Sequence, residues 1–351
     1  MDFTYLIIQW YRRNKRDLPW RRTTDPYKIW VSEVILQQTR VGQGLAYYDR
    51  FIERFPDVEK LAMAEEEDVM KIWKGLGYYS RARNMQESAR IIVREHGAQF
   101  PVSYDELRKL KGIGDYTASA VASIAAGGNH PVVDGNVLRV VSRYLGSDIP
   151  VDSSAGKKRV KDFLRDTIDA DDPGTFNQAV MELGALVCKP GQPDCHLCPL
   201  SQSCNAFQQG NAVNLPVTSK ANALRPRYFH YLVIMDDNQN DVYTWIRKRT
   251  TKDIWRDLYD FPLVEADRQL PVDELICNEE FKSLFSHYDF EIDGDYISMR
   301  HVLSHQELNV RFFRFTSPAF DHEKYVKVPV REIHKYPVSR LIENYLKKVG
   351  W

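Results

Sequence analysis

The stretch that decides the fold of this chain is LKGIGDYTA, residues 110–118. It joins two segments, residues 104–110 and 116–126, whose apolar positions recur with the period of a helix. The join contains Gly112 and Gly114, and glycine allows a turn to adopt positive φ and to approach a ligand closely. Asp115 follows directly and is the predicted N-cap of the second helix.

Such a turn leaves the N–H groups at the start of the second helix pointing outward, where they can bind an anion such as a phosphate. The pattern predicts a helix-hairpin-helix that clamps the DNA backbone without reading its sequence, with Lys111, Gly112 and Gly114 at the phosphates. An ordinary turn between two helices is the alternative, because a Gly-x-Gly turn alone is only moderately specific.

Outward from this stretch, residues 1–205 are predicted to be mostly helical. Short breaks that contain glycine, such as residues 75–77, 112–114 and 127–128, separate segments with helical period. The predicted helices are residues 30–38, 67–73, 82–93, 104–110, 116–126, 137–144 and 176–187, preceded by one that starts in residues 1–10 and continues to 16.

The pattern changes after residue 205. Residues 206–226 are polar and contain Pro216 and Pro226, which predicts an interdomain linker. Residues 228–235, 242–246 and 310–315 alternate as strands do, and residues 236–241 are predicted to be a turn. Residues 227–351 are therefore predicted to form a second, α+β domain, in keeping with a chain of 351 residues.

Composition limits the classes of protein. The chain has 48 basic and 48 acidic residues, and 43% of it is hydrophobic, which excludes wholesale disorder. Zero formal charge lowers the expectation of nucleic-acid binding, although residues 1–54 carry 10 Lys and Arg against 6 Asp and Glu. No apolar run approaches the roughly 20 residues of a membrane span, and no basic leader starts the chain, so a cytoplasmic protein is expected.

Four of the five cysteines follow the spacing C-x6-C-x2-C-x5-C, at Cys188, Cys195, Cys198 and Cys204. Four thiolates suit a tetrahedral site for zinc or iron–sulfur. Zinc sites usually contain two CxxC pairs, whereas one pair is present here, and Pro199 follows it directly. These features favour a 4Fe-4S cluster wrapped by one loop. His196 is expected to be a loop residue, and Cys277 a small buried hydrophobic residue.

Two carboxylates have more than one interpretation. Asp134 precedes Gly135 and a predicted helix, so an ordinary helix N-cap is its simplest role. Glu33 lies on the apolar segment 30–38, where an unpaired carboxylate is costly. A buried glutamate with a raised pKa is also what a general acid requires near neutral pH.

Together these features resemble one family. The cysteine spacing, the hairpin and Val133-Asp134-Gly135-Asn136 are similar to the endonuclease III superfamily of helix-hairpin-helix DNA glycosylases, and within it to adenine DNA glycosylases of the MutY type. Residues 18–21, 32–39, 75–83, 176–178 and 182–185 belong to the same pattern. The resemblance runs from about residue 3 to 205 and returns at 245–262 and 301–305.

The resemblance implies that Glu33 protonates adenine at N7 and that ionised Asp134 stabilises the cation that develops on the sugar, with a covalent role left open. Tyr116 and Asn136 would position the sugar, the carboxylates and the attacking water. The bifunctional lyases of the superfamily have a lysine at the place of Tyr116. A phenol cannot form a Schiff base, so a monofunctional enzyme that stops at an abasic site is expected.

The target base must leave the stack to reach these groups. The resemblance implies that Gln38 and Tyr78 fill the vacated stack and that Thr39 and Leu76 lie near the opposite base. It also implies an adenine pocket that contains Leu18, Trp20, Arg21 and Gln178. Taken alone, each of these residues would be assigned to a core or to the surface.

Residues 227–351 resemble the Nudix-like C-terminal domain of these enzymes, through residues 255–262. The acidic metal-binding box of catalytic Nudix hydrolases is missing, so recognition without pyrophosphatase chemistry is expected. Residues 301–305 align with a loop that reads 8-oxoguanine, and Ser304 and His305 would keep its polar contacts, whereas Leu303 replaces a phenylalanine. A metal site at His301 and His305 is the alternative.

The expected substrate is therefore duplex DNA with adenine opposite 8-oxoguanine or guanine, and a monomer is expected; no motif indicates a protein partner. The competing interpretations are a bifunctional pyrimidine lyase, a thymine mismatch glycosylase and a noncatalytic iron–sulfur protein that binds DNA. Tyr116 argues against the lyase, the second domain argues against both enzymes, and the presence of both Glu33 and Asp134 argues against the noncatalytic protein.

Overall fold

The computed structural model describes residues 2–219, 223–238 and 241–351. The chain divides into two compact units between residues 220 and 221, and each is described by itself. Among the described residues, no helix is both long enough and apolar enough to cross a membrane.

The first unit is helical, as the sequence predicts. Its helices are α1 (Phe3–Asn14), α2 (Pro26–Leu36), α3 (Val41–Arg54), α4 (Val58–Met63), α5 (Glu66–Trp73), α6 (Ser80–His96), α7 (Tyr104–Leu107), α8 (Asp115–Ala126), α9 (Gly135–Leu145), α10 (Ser154–Thr167), α11 (Pro173–Leu186) and α12 (Asn205–Gln208). Helices α3, α4, α10 and α12 lie outside the segments predicted to be helical. In α10 only Gly156, Val160 and Leu164 are buried among mostly charged residues, so its apolar stripe is narrow.

Helix α2 lies at the centre of this unit. Asp25 caps its N-terminus by accepting a hydrogen bond from the backbone N–H of Tyr27 at 2.9 Å, and Pro26 occupies the first helical position. Every residue from Ile29 to Ile35 is buried, so the helix is covered on all sides. It packs against α8, the second helix of the hairpin.

A second contact brings two functional segments together. Helix α11 packs against α1, α8 and α9. Where α11 meets the start of α9, a Cβ atom added to Gly184 would lie 2.7 Å from the Cβ of Asn136. Glycine therefore permits the close approach that places residues 134–136 against α11.

The second unit is built on a sheet, as predicted. Its strands are β1 (Arg225–Asn238), β2 (Asp241–Lys248), β3 (Tyr259–Asp260), β4 (Leu263–Ala266), β5 (Glu291–Ile292), β6 (Ile297–Val302), β7 (Gln306–Thr316) and β8 (Val326–Pro329). Its helices are α13 (Val272–Cys277), α14 (Glu279–Leu284) and α15 (Arg340–Lys348). Strands β1 and β7 pair in parallel at the centre of the sheet, and β2 and β4 pair antiparallel with β1.

Side chains alternate between the two faces of β1 and enter two cores. Phe229, Tyr231 and Val233 face a core that includes residues of α15. Leu232 and Ile234 face a core that includes residues of α13 and α14. The sheet of this unit is therefore covered by helices on both faces.

Three expectations need correction here. The predicted linker at 206–226 is largely structured: Ala212 and Leu215 are buried, and the N–H of Val151 donates to the carbonyl of Val217 at 2.9 Å, so residues up to 219 pack on the first unit. Strand β1 already starts at Arg225. Lys220, Ala221 and Asn222 lie outside the described residues.

The predicted turn at 236–241 is shorter than expected, because β1 and β2 stay paired up to Asn238 and Asp241; Gln239 and Asn240 lie outside the described residues. Cys277 is exposed rather than buried. It ends α13, whose inward face is occupied by Leu275.

Candidate active site

The hairpin forms where the sequence predicts it. Gly112 has φ +77°, and a Cβ atom there would lie 2.7 Å from the Cβ of Asn84, so both the conformation and the space require glycine. Helix α8 starts with Asp115, and its N-cap is Gly114 rather than the predicted Asp115. The Asp115 side chain instead turns away and accepts hydrogen bonds from the hydroxyl of Tyr104 and the ammonium of Lys161.

Gly112 and Gly114 line an open cleft with a volume of about 630 Å³. Lys111 is exposed beside it and pairs with Glu87. The other lining residues are Leu36, Gln37, Gln38, Tyr78, Ser80, Arg81, Tyr116, Thr117, Val133, Asp134 and Gly135. The cleft therefore joins the hairpin, the end of α2 and the loop that precedes α9.

Glu33 lies on α2 and is only 7% exposed. The hydroxyl of Tyr116 donates a hydrogen bond of 2.5 Å to its Oε2 atom. The pKa of Glu33 is raised to about 7, chiefly by burial and also by repulsion from Asp134, against the Tyr116 hydrogen bond and the charge of Arg21, which lower it. Glu33 can therefore hold a proton near neutral pH.

Asp134 is the N-cap of α9, as its simplest interpretation predicted. Its Oδ1 accepts from the backbone N–H of Val137 at 2.7 Å, and its Oδ2 accepts from the side-chain amide of Asn136 at 2.8 Å. Burial raises the pKa of Asp134, and these hydrogen bonds together with the charge of Arg139 counteract that rise. The capping role leaves the residue in the cleft, so the two interpretations are compatible.

Arg139 is a residue that the sequence analysis missed. It donates to the side-chain oxygen of Asn136 at 2.9 Å, to the carbonyl of Gly184 at 2.9 Å and to the carbonyl of Cys188 at 2.7 Å. One guanidinium thus connects the loop of Asp134 with α11 and the first cysteine. Arg139 lies three residues after Asn136 on the same helix, and this spacing alone indicates that the two side chains can contact each other.

Two of the four residues expected in the adenine pocket are tied to α11: Arg21 binds Glu182 of this helix, and Gln178 lies on it. Leu18 and Trp20 are buried, and both guanidinium nitrogens NH1 and NH2 of Arg21 donate at 2.7 Å to Glu182. Gln178 accepts a hydrogen bond of 3.1 Å from the hydroxyl of Tyr11.

The sequence motif at residues 182–185 contains Glu182 but gives no role for its carboxylate. Glu182 is 1% exposed and also binds Arg16. The hydrogen bonds from Arg21 and Arg16 outweigh its burial and lower the pKa of Glu182 to about 2, well below the value of about 7 for Glu33.

The four residues expected at the disrupted base pair separate into two groups. Gln38 and Tyr78 are exposed and line the cleft, and both have positive φ, +56° and +49°. Among the described residues that line the cleft, Thr39 and Leu76 are not found, and Leu76 is buried.

The four clustered cysteines, Cys188, Cys195, Cys198 and Cys204, all line one pocket. The rest of its lining is mostly apolar, except that Arg143 donates to the Sγ of Cys188 at 3.3 Å and to the carbonyl of Leu215 at 2.8 Å. Within the described residues, no group of three or more His, Cys, Asp or Glu side chains is arranged as a metal-ion site. Four soft donors that share one apolar pocket fit an iron–sulfur cluster better than a hard cation.

In the second unit, Ser304 and His305 are exposed in the turn between β6 and β7. His301 is half-buried and lies edge-on to Trp255, with 5.7 Å between ring centroids. The alternative of a metal site at His301 and His305 finds no support in the described part of the chain.

Comparison with known proteins agrees with both units. Residues 31–162 match the family model of HhH-GPD superfamily base excision DNA repair proteins, and residues 230–348 match that of the NUDIX domain. The chain is 37% identical to the adenine DNA glycosylase of Buchnera aphidicola subsp. Schizaphis graminum, over 74% of each chain. It is 43% identical to the human adenine DNA glycosylase, over 58% of this chain and 39% of that one.

Among solved structures, a thermostable thymine-DNA glycosylase matches with a TM-score of 0.55 and 28% identity. The match covers 59% of this chain and 95% of that chain.

The raised pKa of Glu33 predicts a stability that depends on pH. Between the ordinary value of 4.5 and about 7, the folded protein binds a proton that the unfolded chain has lost, so this contribution to stability is lost as the pH rises. Glu33→Gln cannot ionise, so its free energy of unfolding relative to wild type should increase between pH 4.5 and pH 8. The increase should be a few kcal/mol, at about 1.4 kcal/mol for each pH unit by which the pKa is raised.

Urea denaturation of both proteins at the two pH values, followed by circular dichroism of the helical unit, measures this difference. Glu53→Gln is the matched control, because it makes the same substitution at an exposed position on α3. A difference between wild type and Glu33→Gln that stays constant over this pH range would show that Glu33 is not held protonated.

Proposed function

Because the chain belongs to the family of adenine DNA glycosylases, we propose that it removes adenine mispaired with 8-oxoguanine or guanine from duplex DNA and stops at the abasic site. As a member of this family it is a hydrolase of base excision repair that acts on adenine. The catalytic residues, the opposite base and the cofactor are the parts that we propose.

The observation that carries the proposal is the pair of carboxylates with different environments. Glu33 lies in an apolar helix and has a pKa of about 7, whereas Asp134 receives hydrogen bonds from Val137 and Asn136. Pairs of this kind divide the work of an acid and of an ionised stabiliser in glycosidases. By analogy, Glu33 donates its proton to N7 of adenine, which then leaves as a neutral base.

As the bond between base and sugar breaks, positive charge develops on the sugar. The carboxylate of Asp134 stabilises that charge, and Asn136 holds the orientation of the carboxylate through its hydrogen bond of 2.8 Å. Tyr116 orients Glu33 and offers no amine to the sugar, so the reaction ends with hydrolysis by water.

The hairpin supports the proposal that the chain binds the DNA backbone. Gly112 and Gly114 leave the N-terminus of α8 open at the cleft, and backbone N–H groups at a helix N-terminus bind phosphate. Gln38 and Tyr78, exposed in the same cleft, are suited to occupy the stack that the adenine vacates. One chain supplies all these groups, so the proposal needs no second copy.

We also propose that Cys188, Cys195, Cys198 and Cys204 hold a 4Fe-4S cluster. When bound, the cluster would fix the loop 188–204. The hydrogen bonds from Arg139 and Arg143 connect this loop with α9, whose N-cap is Asp134. A bound cluster would therefore support the position of Asp134 through this loop and α9.

The second unit would read the base opposite the adenine. Ser304 and His305 lie in an exposed turn that leaves their polar groups free to approach DNA. Oxidation of guanine to 8-oxoguanine turns N7 from a hydrogen-bond acceptor into an N–H donor. The hydroxyl oxygen of a serine can accept a hydrogen bond from that N–H group. One such hydrogen bond contributes roughly 0.5–1.5 kcal/mol.

The first test measures adenine release in a single turnover on duplex DNA. Glu33→Gln and Asp134→Asn should each lower the rate by at least about a hundredfold while DNA binding survives, since proton donation and charge stabilisation each contribute this much. The wild-type rate should fall above about pH 7, where Glu33 loses its proton.

Borohydride should trap no covalent complex of the wild type with DNA.

The exposed substitution Glu53→Gln should leave this rate unchanged. A rate close to that of the wild type for Glu33→Gln or Asp134→Asn would remove that residue from the mechanism. Efficient trapping by borohydride would mean that a lysine elsewhere attacks the sugar.

The cofactor assignment predicts that protein purified without oxygen is brown and contains iron and sulfide in equal amounts, about four of each per chain. Cys198→Ser should lower both, because a hydroxyl is a poor ligand for iron in such clusters. The same substitution at the exposed Cys277 should change neither. Colourless, active protein that contains zinc would contradict the assignment.

Reading of the opposite base is tested by the ratio of rates on adenine opposite 8-oxoguanine and opposite guanine. Ser304→Ala should reduce this ratio by about threefold to tenfold, the loss of one hydrogen bond. Ser298→Ala, at an exposed position on the neighbouring strand β6, is the matched control and should leave the ratio unchanged. If Ser304→Ala also leaves it unchanged, Ser304 does not read the lesion.

A further inference from the structure

Arg81, near the start of α6, connects two segments that border the cleft. Its NH1 atom donates to the carbonyls of Val34 at 2.7 Å, Ile35 at 3.2 Å and Gln37 at 2.6 Å. Its NH2 atom points to the carbonyls of Leu76 at 3.4 Å and Gly77 at 3.3 Å. One guanidinium therefore holds the end of α2 and the turn at residues 75–78 at a fixed separation.

The end of α2 needs such a partner. The last carbonyls of a helix have no hydrogen-bond donor within the helix, and they carry partial negative charge. Helix α2 has no basic residue in its last turn, and the chain leaves the helix at Gln37. Arg81 supplies both the donors and the positive charge from another helix.

The residues next to these contacts have a strained backbone. Gln38 directly follows Gln37, and Tyr78 directly follows Gly77; both have positive φ although neither is glycine. Such residues keep this conformation only where their surroundings hold them. Arg81 bonds to the residue before each of them, and its guanidinium lies 5.6 Å from the centroid of the Tyr78 ring.

The position of Arg81 also carries two costs. Its Nε atom is buried with no hydrogen-bond partner among the described residues, and burial lowers the pKa of the guanidinium to about 10. An unpaired buried donor and a desolvated cation both cost free energy. A guanidinium that carries these costs and contacts the backbone beside two exposed cleft residues points to a role in the cleft.

We propose that Arg81 is a positioning residue for base extrusion, which holds Gln38 and Tyr78 in the conformations that fill the vacated stack. The inference rests on the proposed function, because it assumes that adenine leaves the duplex before it is released. Arg81 would not touch the reacting atoms, so it should affect extrusion and leave proton donation by Glu33 unchanged.

The test compares full-length wild type, Arg81→Met and Arg81→Lys in single turnover on two duplexes. In one, adenine is paired opposite 8-oxoguanine. In the other, a tetrahydrofuran abasic analogue stands opposite the adenine, so there is no pair to break. Arg81→Met should lose about tenfold or more on the paired duplex and less than about threefold on the unpaired one, with the same pH dependence as the wild type.

Arg81→Lys keeps a cation at this position and serves as the second variant if Arg81→Met does not fold. A lysine ammonium lacks the planar fork that reaches both segments, so it should also lose more on the paired duplex than on the unpaired one. Arg90→Met is the matched control. Arg90 lies on the same helix, is exposed and donates to the carbonyl of Ala62, and its replacement should leave both rates unchanged.

A direct measurement uses 2-aminopurine placed beside the target adenine, whose fluorescence rises when stacking is lost. Wild type should raise the fluorescence on binding, and Arg81→Met should raise it less. Equal losses on both duplexes, a shifted pH profile or an unchanged rate on the paired duplex would each overturn the inference. Failure of the wild type to release adenine from either duplex would instead overturn the proposed function.

Discussion

Glu33 sits on a helix whose residues from Ile29 to Ile35 are all buried, and the cost of ionising a carboxyl group there governs the rest of the site. Among the described residues, no cation forms a salt bridge with Glu33. Tyr116 donates a hydrogen bond to its carboxyl group, and burial keeps the pKa of Glu33 at about 7. A closer cation would stabilise the fold more, but it would also remove the proton that a general acid must hold.

The same unit treats another buried carboxylate in the opposite way. Glu182 receives Arg16 and Arg21, and the pKa of Glu182 lies at about 2. Arg21 is thereby bound to Glu182 rather than to Glu33, although its charge still acts on Glu33. Two buried glutamates thus differ in pKa, because two arginines bind Glu182 whereas the phenol of Tyr116 donates to Glu33.

Elements that stabilise the fold also form the site. Asp134 caps α9, and the same carboxylate faces the cleft. Gly184 lets α11 approach Asn136, and Arg139 and Arg81 each tie distant segments together through backbone carbonyls. Because arginines such as Arg21, Arg81 and Arg139 make internal contacts, net charge alone is a poor guide to what the chain binds.

By itself, the sequence determined the helical class of the first unit, the hairpin at Gly112 and Gly114, the sheet of the second unit and the grouping of four cysteines. These depend on local patterns: the period of apolar residues, a turn that only glycine allows, and a short spacing between cysteines.

Only the tertiary structure decided that Gly114, and not Asp115, caps α8. It also decided that residues up to 219 pack on the first unit, and that Leu76 is buried outside the cleft. It alone revealed the contacts that Glu182, Arg139 and Arg81 make. Arg21 lies 161 residues from Glu182, and Arg81 lies 47 from Val34, so no local pattern records these contacts. Their energies depend on burial, which packing of the whole unit creates.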